Sequence, residues 1–219
     1  LRISATVGLA IDRLSNPEAK SIALIGSGRL AMPILEPAVA VRSITHVFVY
    51  SRNPENCESF ARKASEKFKL PVAAVANPQR AIDQAQIVLV STNSSAAALL
   101  GEWLRPGVSI FGVGRPNEFD DAVYLGADLI SVTSKTHELG YYDRKLDQPL
   151  IRLAQQGRVS WDDVAEFGDL LAGKVSVPDA SKNIVVFRDS QGGYGDLALA
   201  AWAYEEAQRI GLGQEITTE

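Results

Sequence analysis

The sequence predicts an α/β fold built on a doubly wound parallel sheet, and three observations carry that prediction. Short β-rich runs recur between helical segments from residue 21 to residue 132. Most of these runs are apolar throughout, as expected of strands covered by helices on both faces. The first of them ends in GSGRLA (26–31), which places two glycines on a strand-to-helix turn. Strands alternating with helices imply βαβ units, whose crossovers make the sheet parallel.

In chain order, LRISATVGLAIDRL (1–14) sets Ile3, Val7, Ala10, Ile11 and Leu14 at helical spacing, with neither a cap nor an initiating Met before it. We therefore expect residues 1–18 to be a helix leading from an N-terminal domain that this chain lacks. Residues 19–175 are expected to form the main α/β domain. Its strands are SIALIG (21–26), HVFVYS (46–51), PVAAV (71–75), QIVLV (86–90), VSIFGVG (108–114) and ADLISV (127–132).

The helix after the first strand carries Pro33 near its start, where a missing N–H costs little, and Pro37 in its interior, where proline costs about 3 kcal/mol and should kink it. The next helix opens on Asn53 as N-cap with Pro54 following, and Cys57, Phe60, Ala61, Ala64 and Phe68 form its buried stripe. RPG (105–107) closes another segment.

From Lys135 to Lys174 the sequence reads as helices and loops, one helix starting at Ser160 and ending in DLLAGK. Residues 176–219 are expected to supply a strand NIVVF (183–187), a glycine-rich loop SQGGYG (190–195) and a C-terminal helical segment that returns to a substrate and dimerisation domain. Leu197, Ala200, Ala201, Tyr204 and Ala207 share one face of that helix, and Gly211 stops it.

Composition excludes several classes of function. The 219 residues are 46% hydrophobic and 22% charged with a net charge of −4, which is no surface for neutralising phosphate backbones, so no nucleic-acid partner is expected. No apolar run is long enough to span a membrane and no signal peptide is recognisable, so a cytoplasmic location is expected. Cys57 has no partner for an internal disulfide, and with two distant histidines it makes no metal-ligand cluster. His137 is a candidate acid or base by its ordinary titration range, set against the commoner surface role, while His46 falls at the amino end of the sheet. The pairs Asp120–Asp121 and Asp162–Asp163 read as caps or solvated faces, and the absence of a GxSxG elbow disfavours a hydrolase.

The turn after the first strand is the strongest chemical signal. Gly26, Gly28 and Ala31 spell GxGxxA between a strand and a helix, the context in which glycines admit a pyrophosphate and the helix start offers N–H donors to it. The fold is therefore Rossmann-like. Roughly 20 residues beyond such a turn a carboxylate would hold the ribose 2′-hydroxyl of NAD. Ser51 and Arg52 stand there instead, and a hydroxyl beside a guanidinium suits a 2′-phosphate, so NADP(H) is preferred over NAD(H). STNSS (91–95) and GVGRPNEFDD (112–121) follow the fourth and fifth strands, at the sheet edge where such folds bind ligands.

The succession of LRISA, ALIGSGRLA, VYSRNPE, STNSS, GEWLRPGVSIFGVG, GADLI, EFGDLLAG and VFRDSQGGYGDLALAAWAYEEAQRIGLG resembles the ornithine cyclodeaminase and mu-crystallin family over nearly the whole chain. The resemblance implies an NAD(P)-dependent protein acting on a small amino acid or a cyclic or linear imino acid, with hydride transfer at Cα. It also implies a Rossmann domain joined to a split domain that makes a homodimer and half the substrate pocket.

By the same resemblance, Arg29 and Leu30 lie on the pyrophosphate turn, Ser51 and Arg52 by the ribose, and Thr92 and Asn93 against the cofactor. Val113 and Gly114 would run along the nicotinamide, Ser190 and Gln191 near nicotinamide and substrate, and Arg2 would reach the pyrophosphate or the substrate carboxylate. Leu30 stands where the family usually has Gln. The family's aspartate after the VG of the fifth strand is missing from GVGRP, as are the lysine and arginine of the N-terminal domain, so the catalytic residues are unassigned. That gap supports an alternative, a catalytically impaired dinucleotide binder of the mu-crystallin type.

Overall fold

The structure, a computed structural model, describes residues 2–140, 146–190, 193–214 and 216. Its eight strands are β1 (Ser21–Ile25), β2 (His46–Tyr50), β3 (Val72–Ala74), β4 (Ile87–Val90), β5 (Ser109–Gly112), β6 (Leu129–Val132), β7 (Ala165–Glu166) and β8 (Val185–Arg188). They form one sheet in the order β3-β2-β1-β4-β5-β8-β6-β7, with every pairing parallel. Helices α1 (Arg2–Leu14), α2 (Ala31–Val41), α3 (Pro54–Phe68), α4 (Pro78–Ile82), α5 (Asp121–Leu125), α6 (Lys135–Leu139), α7 (Pro149–Gln155), α8 (Phe167–Leu171) and α9 (Tyr194–Arg209) precede, connect or follow them.

Strand alternation builds two cores, one on each face of the sheet. Ile22 and Leu24 of β1 with Ile87 and Leu89 of β4 meet α1, α2 and α3 on one face. Ala23, Ile25, Val88 and Val90 point the other way, to α4, α5 and α7. The apolar runs of the sequence are thus strands buried on both sides, the pattern that a parallel sheet requires.

Local chemistry fixes the helix ends. The Asn53 side chain accepts from the Asn56 N–H at 2.8 Å and opens α3 before Pro54. Arg42 closes α1 from the far side: its Nη2 donates to the carbonyls of Ile11 at 2.8 Å and Asp12 at 2.7 Å, and its Nε to Ser15 Oγ at 3.1 Å. These satisfy carbonyls that a helix end leaves without partners. Helix α2 runs from Ala31 to Val41 with Pro37 inside it. Pro37 is where α1 crosses, and a Cβ added at Gly8 would sit 2.7 Å from Pro37 Cβ, so the two helices pack backbone-close at that point.

Two expectations change. Trp161–Asp163 forms a turn, with the Asp163 N–H donating to the Ser160 carbonyl at 3.2 Å, and helix α8 begins only at Phe167. Between them β7 pairs Ala165 with Ser131 and Glu166 with Val132, so sheet pairing replaces the helix start read from Ser160 and its acidic neighbours. The strand expected at 183–187 forms as β8 but joins the main sheet, inserted between β5 and β6. The boundary expected at residue 176 precedes β8, so the sheet continues across it. Helix α9 has no buried residue, and Leu197, Trp202 and Tyr204 on it are exposed.

Candidate functional site

The sheet order reverses around β1, which has β2 on one side and β4 on the other. Crevices open at the carboxyl ends of strands at such a point. Here the crevice is a cleft of about 700 Å³.

Its floor is the turn between β1 and α2. Gly26 sits at φ +109°, and a Cβ there would lie 2.2 Å from the Ser91 carbonyl oxygen, so both the left-handed backbone and the contact with the β4 turn demand glycine. The Gly26 N–H donates to the Tyr50 carbonyl at 2.8 Å, tying the turn to the end of β2. At Gly28 the space in front of Cα is open, with no heavy atom within 4 Å of an added Cβ. Leu30, the residue preceding α2, makes no side-chain cap; the Ala31 N–H donates to the Gly28 carbonyl at 3.1 Å and Pro33 carries no N–H, so within the first turn of the helix it is the Met32 N–H that is left without an acceptor among the described residues. An uncapped helix start behind an open glycine is a cradle of the right chemistry for a pyrophosphate.

The expected residues divide into two groups. Gly26, Gly28, Arg29 and Leu30 line the cleft on the α2 side, and Ser51 and Arg52 line it at the end of β2. Thr92, Asn93 and Gly114 line it from the turns after β4 and β5. Val113 is 1% exposed, its N–H donating to the Val90 carbonyl at 3.1 Å, and stands behind the wall. Ser190 is buried with its Oγ 2.7 Å from Thr133 Oγ1, joining the ends of β8 and β6. Arg2 pairs with Asp189 at 3.2 Å and with Asp196 at 3.0 Å, so its guanidinium links α1 to β8 and α9 and does not line the cleft. Gln191 lies outside the described residues.

The acids after β5 are all engaged. Asp120 Oδ1 accepts from the N–H groups of Val123 at 3.1 Å, as the N-cap of α5, and of Gly101 at 2.9 Å. Asp121 takes a two-pronged bond from Arg152 at 2.7 and 2.9 Å, which holds its carboxyl below the usual range. His137 is exposed, edge-on to Tyr194 with ring centroids 6.3 Å apart.

Sequence reasoning missed the buried charges beside the cleft. Glu118 is fully buried, and its carboxylate accepts from the Thr92 N–H and, at 2.9 Å, from the Gly114 N–H. Burial pushes its pKa up to about 7, against the opposing pull of those bonds and of Arg188. Arg188, at the end of β8, is also buried; its Nε donates to Glu138 Oε1 at 2.8 Å and its Nη1 to the Arg115 carbonyl at 3.2 Å. The one available signal was an acid in NEFDD, where two neighbouring aspartates already read as caps.

No helix among the described residues is long and apolar enough to cross a membrane. The chain is 32% identical over 221 residues to a Δ1-pyrroline-2-carboxylate reductase of Bacillus cereus, covering 99% of this chain and 66% of that protein. It thus spans just under two thirds of such relatives. Among solved structures it resembles the Thermococcus litoralis Δ1-pyrroline-2-carboxylate reductase in complex with NADH and L-proline, with TM-score 0.86 and 26% identity over 98% of this chain and 66% of the other. It shares its fold with the iminosuccinate reductase of Paracoccus denitrificans in complex with NAD+, with TM-score 0.83 and 22% identity over 99% of this chain and 66% of that one. Residues 1–210 match the ornithine cyclodeaminase/mu-crystallin family as a whole, and the chain belongs to that family.

Proposed function

We propose that the chain is the dinucleotide-binding part of an NAD(P)-dependent oxidoreductase that acts on a small amino acid or a cyclic or linear imino acid. The observation that carries this reading is the uncapped start of α2 behind Gly28, opening into a cleft of about 700 Å³. Relatives named as imino-acid reductases, one of them in complex with NADH and L-proline, support the substrate class.

In this reading the N–H groups of the turn and Arg29 hold the pyrophosphate, and Ser51 and Arg52 meet the adenosine ribose. Thr92, Asn93 and Gly114 bound the nicotinamide half. The bound nicotinamide supplies or takes up the hydride, and the protein orients it and excludes water. Residues 1–18 and 176–219 connect to a further domain that completes the substrate pocket, with Arg2, Ser190 and Gln191 on that side. The exposed Leu197, Trp202 and Tyr204 of α9 support a homodimer of the intact protein, and light scattering that finds a monomer ends that part of the proposal.

No carboxylate stands among Tyr50, Ser51, Arg52 and Asn53, the cleft residues at the end of β2, and this favours NADP(H) over NAD(H). Fluorescence titration should give a lower Kd for NADPH than for NADH; a tenfold preference for NADH overturns the assignment. Arg52→Ala should weaken NADPH about tenfold and leave NADH within about twofold, since the guanidinium meets only the extra phosphate.

One observation favours a second reading, a dinucleotide binder without turnover: Glu118, Asp120 and Asp121, the acids that follow β5, are all committed to internal bonds. The intact protein should be assayed for NADPH oxidation with cyclic imines, and with keto acids plus ammonia. Binding without turnover across that panel selects the binder.

A further inference from the structure

Glu118 lies out of solvent behind the wall of the cleft, and three segments that form the wall are attached to it. Its two carboxylate oxygens accept separately from the Thr92 N–H and the Gly114 N–H. Its carbonyl oxygen accepts from the N–H groups of Ala98 at 2.8 Å and Leu99 at 3.0 Å. Thr92, Ala98 and Gly114 all face the cleft. At Gly114 an added Cβ would fall 2.3 Å from Glu118 Oε1, so the carboxylate reaches that N–H only because no side chain intervenes.

Burying a carboxylate opposes stability by several kcal/mol, so packing alone would favour an apolar side chain here. What an ionised carboxylate offers in return is an acceptor on each oxygen, able to hold two converging N–H groups at once. A neutral amide presents one acceptor and turns its own donors toward the second N–H.

We propose that Glu118 is a positioning residue of the dinucleotide site: its carboxylate sets the spacing between the turns after β4 and β5, and so the wall against which the nicotinamide half is held. This rests on the reading of the cleft as a nicotinamide dinucleotide site. Around the carboxylate stand Arg188 of β8 and Tyr124 of α5, with Glu138 of α6 bonded to Arg188. Burial lifts Glu118 to about 7, and protonation turns one acceptor oxygen into an O–H, so affinity should follow its ionisation.

The test is the Kd for NADH of intact wild-type protein and of Glu118→Gln from pH 6 to pH 8. NADH is the probe because it carries no 2′-phosphate titrating in that range. Wild type should bind about tenfold more weakly at pH 6 than at pH 8, and Glu118→Gln should bind about tenfold more weakly than wild type at pH 8 with a flat profile, the loss of one charge-assisted bond. A flat wild-type profile, or a variant that matches wild type in affinity and profile, overturns the proposal alone.

Amide exchange at Thr92 and Gly114 in wild-type protein gives a readout that does not depend on the variant's folding. Protection that fades as pH falls through about 7, after correction for intrinsic exchange, supports the clamp; protection independent of pH overturns it. Wild type that binds no dinucleotide overturns the reading of the cleft, and the positioning role with it.

Discussion

Two regions at the carboxyl edge of the same sheet handle polarity in opposite ways. At the ends of β1, β2 and β4 the polar groups are largely backbone and short side chains facing an open cleft, and the start of α2 carries no side-chain cap. At the ends of β5 and β8 the polar groups are full charges, Glu118, Arg188 and Glu138, closed off from water and bonded to the protein itself. The first region is built to be completed by a ligand. The second is bonded mainly within the protein, although Glu138 Oε2 and the Tyr124 hydroxyl are buried without a hydrogen-bond partner among the described residues, and the role proposed for it is to hold the first in shape. A substitution in the first should therefore act on binding directly, while one in the second should act through stability and through the wall.

The largest effect belongs to Gly26→Ala. A side chain at φ +109°, with its Cβ 2.2 Å from the Ser91 carbonyl oxygen, forces the β1 and β4 turns apart. Dinucleotide affinity should fall by on the order of 100-fold or more, with a loss of roughly 1–3 kcal/mol from the strained backbone. NADPH titration together with urea unfolding measures both, and a variant with near wild-type affinity would sink the assignment of the turn.

Next is Arg188→Met in the closed region. It leaves Glu138 and Glu118 buried without their cation, a loss of about 3–5 kcal/mol for a broken buried pair. Adding Glu138→Gln removes one stranded charge and should recover part of that loss. Equal stabilities of the single and double variants by urea unfolding would show that Glu138 does not depend on Arg188.

The same division explains what the sequence disclosed. Gly26, Gly28, Ser51, Arg52, Thr92 and Asn93 were legible because each follows a strand whose apolar run marks it, and a strand-end position in this fold is a cleft position. The six main strands were legible for the same reason. Strand β7 was not, because two residues carry no periodicity and exist as a strand only through pairing with Ser131 and Val132. The run NIVVF announced a strand but not its place between β5 and β6, which depends on partners far away in sequence. The expected stripe of α9 was readable as a pattern, yet the described residues leave it exposed. Glu118 was illegible because its partner Thr92 lies 26 residues away and its burial depends on the ends of two strands converging.

The smallest effect, and the one that bears most directly on the comparison, is the pH dependence of stability. The carboxyl of Glu118 moves from an ordinary value of 4.5 to about 7 on folding, chiefly through burial. A raised acid binds its proton more tightly in the folded state, so the stability it contributes is full below pH 4.5 and is lost as pH rises through 7. The loss is a few kcal/mol at most. Urea unfolding at pH 5 and pH 8 should show wild type losing more stability across that interval than Glu118→Gln, the difference between the two proteins cancelling every other titrating group they share. Folding therefore favours the protonated acid, whereas holding both the Thr92 and the Gly114 N–H favours the carboxylate. A bound dinucleotide that relies on the wall must pull the Glu118 pKa down, so saturating NADH should reduce the pH dependence of wild-type stability and leave that of Glu118→Gln unaltered. An unchanged wild-type pH dependence under saturating NADH would separate the two regions, making the buried charges a matter of folding alone.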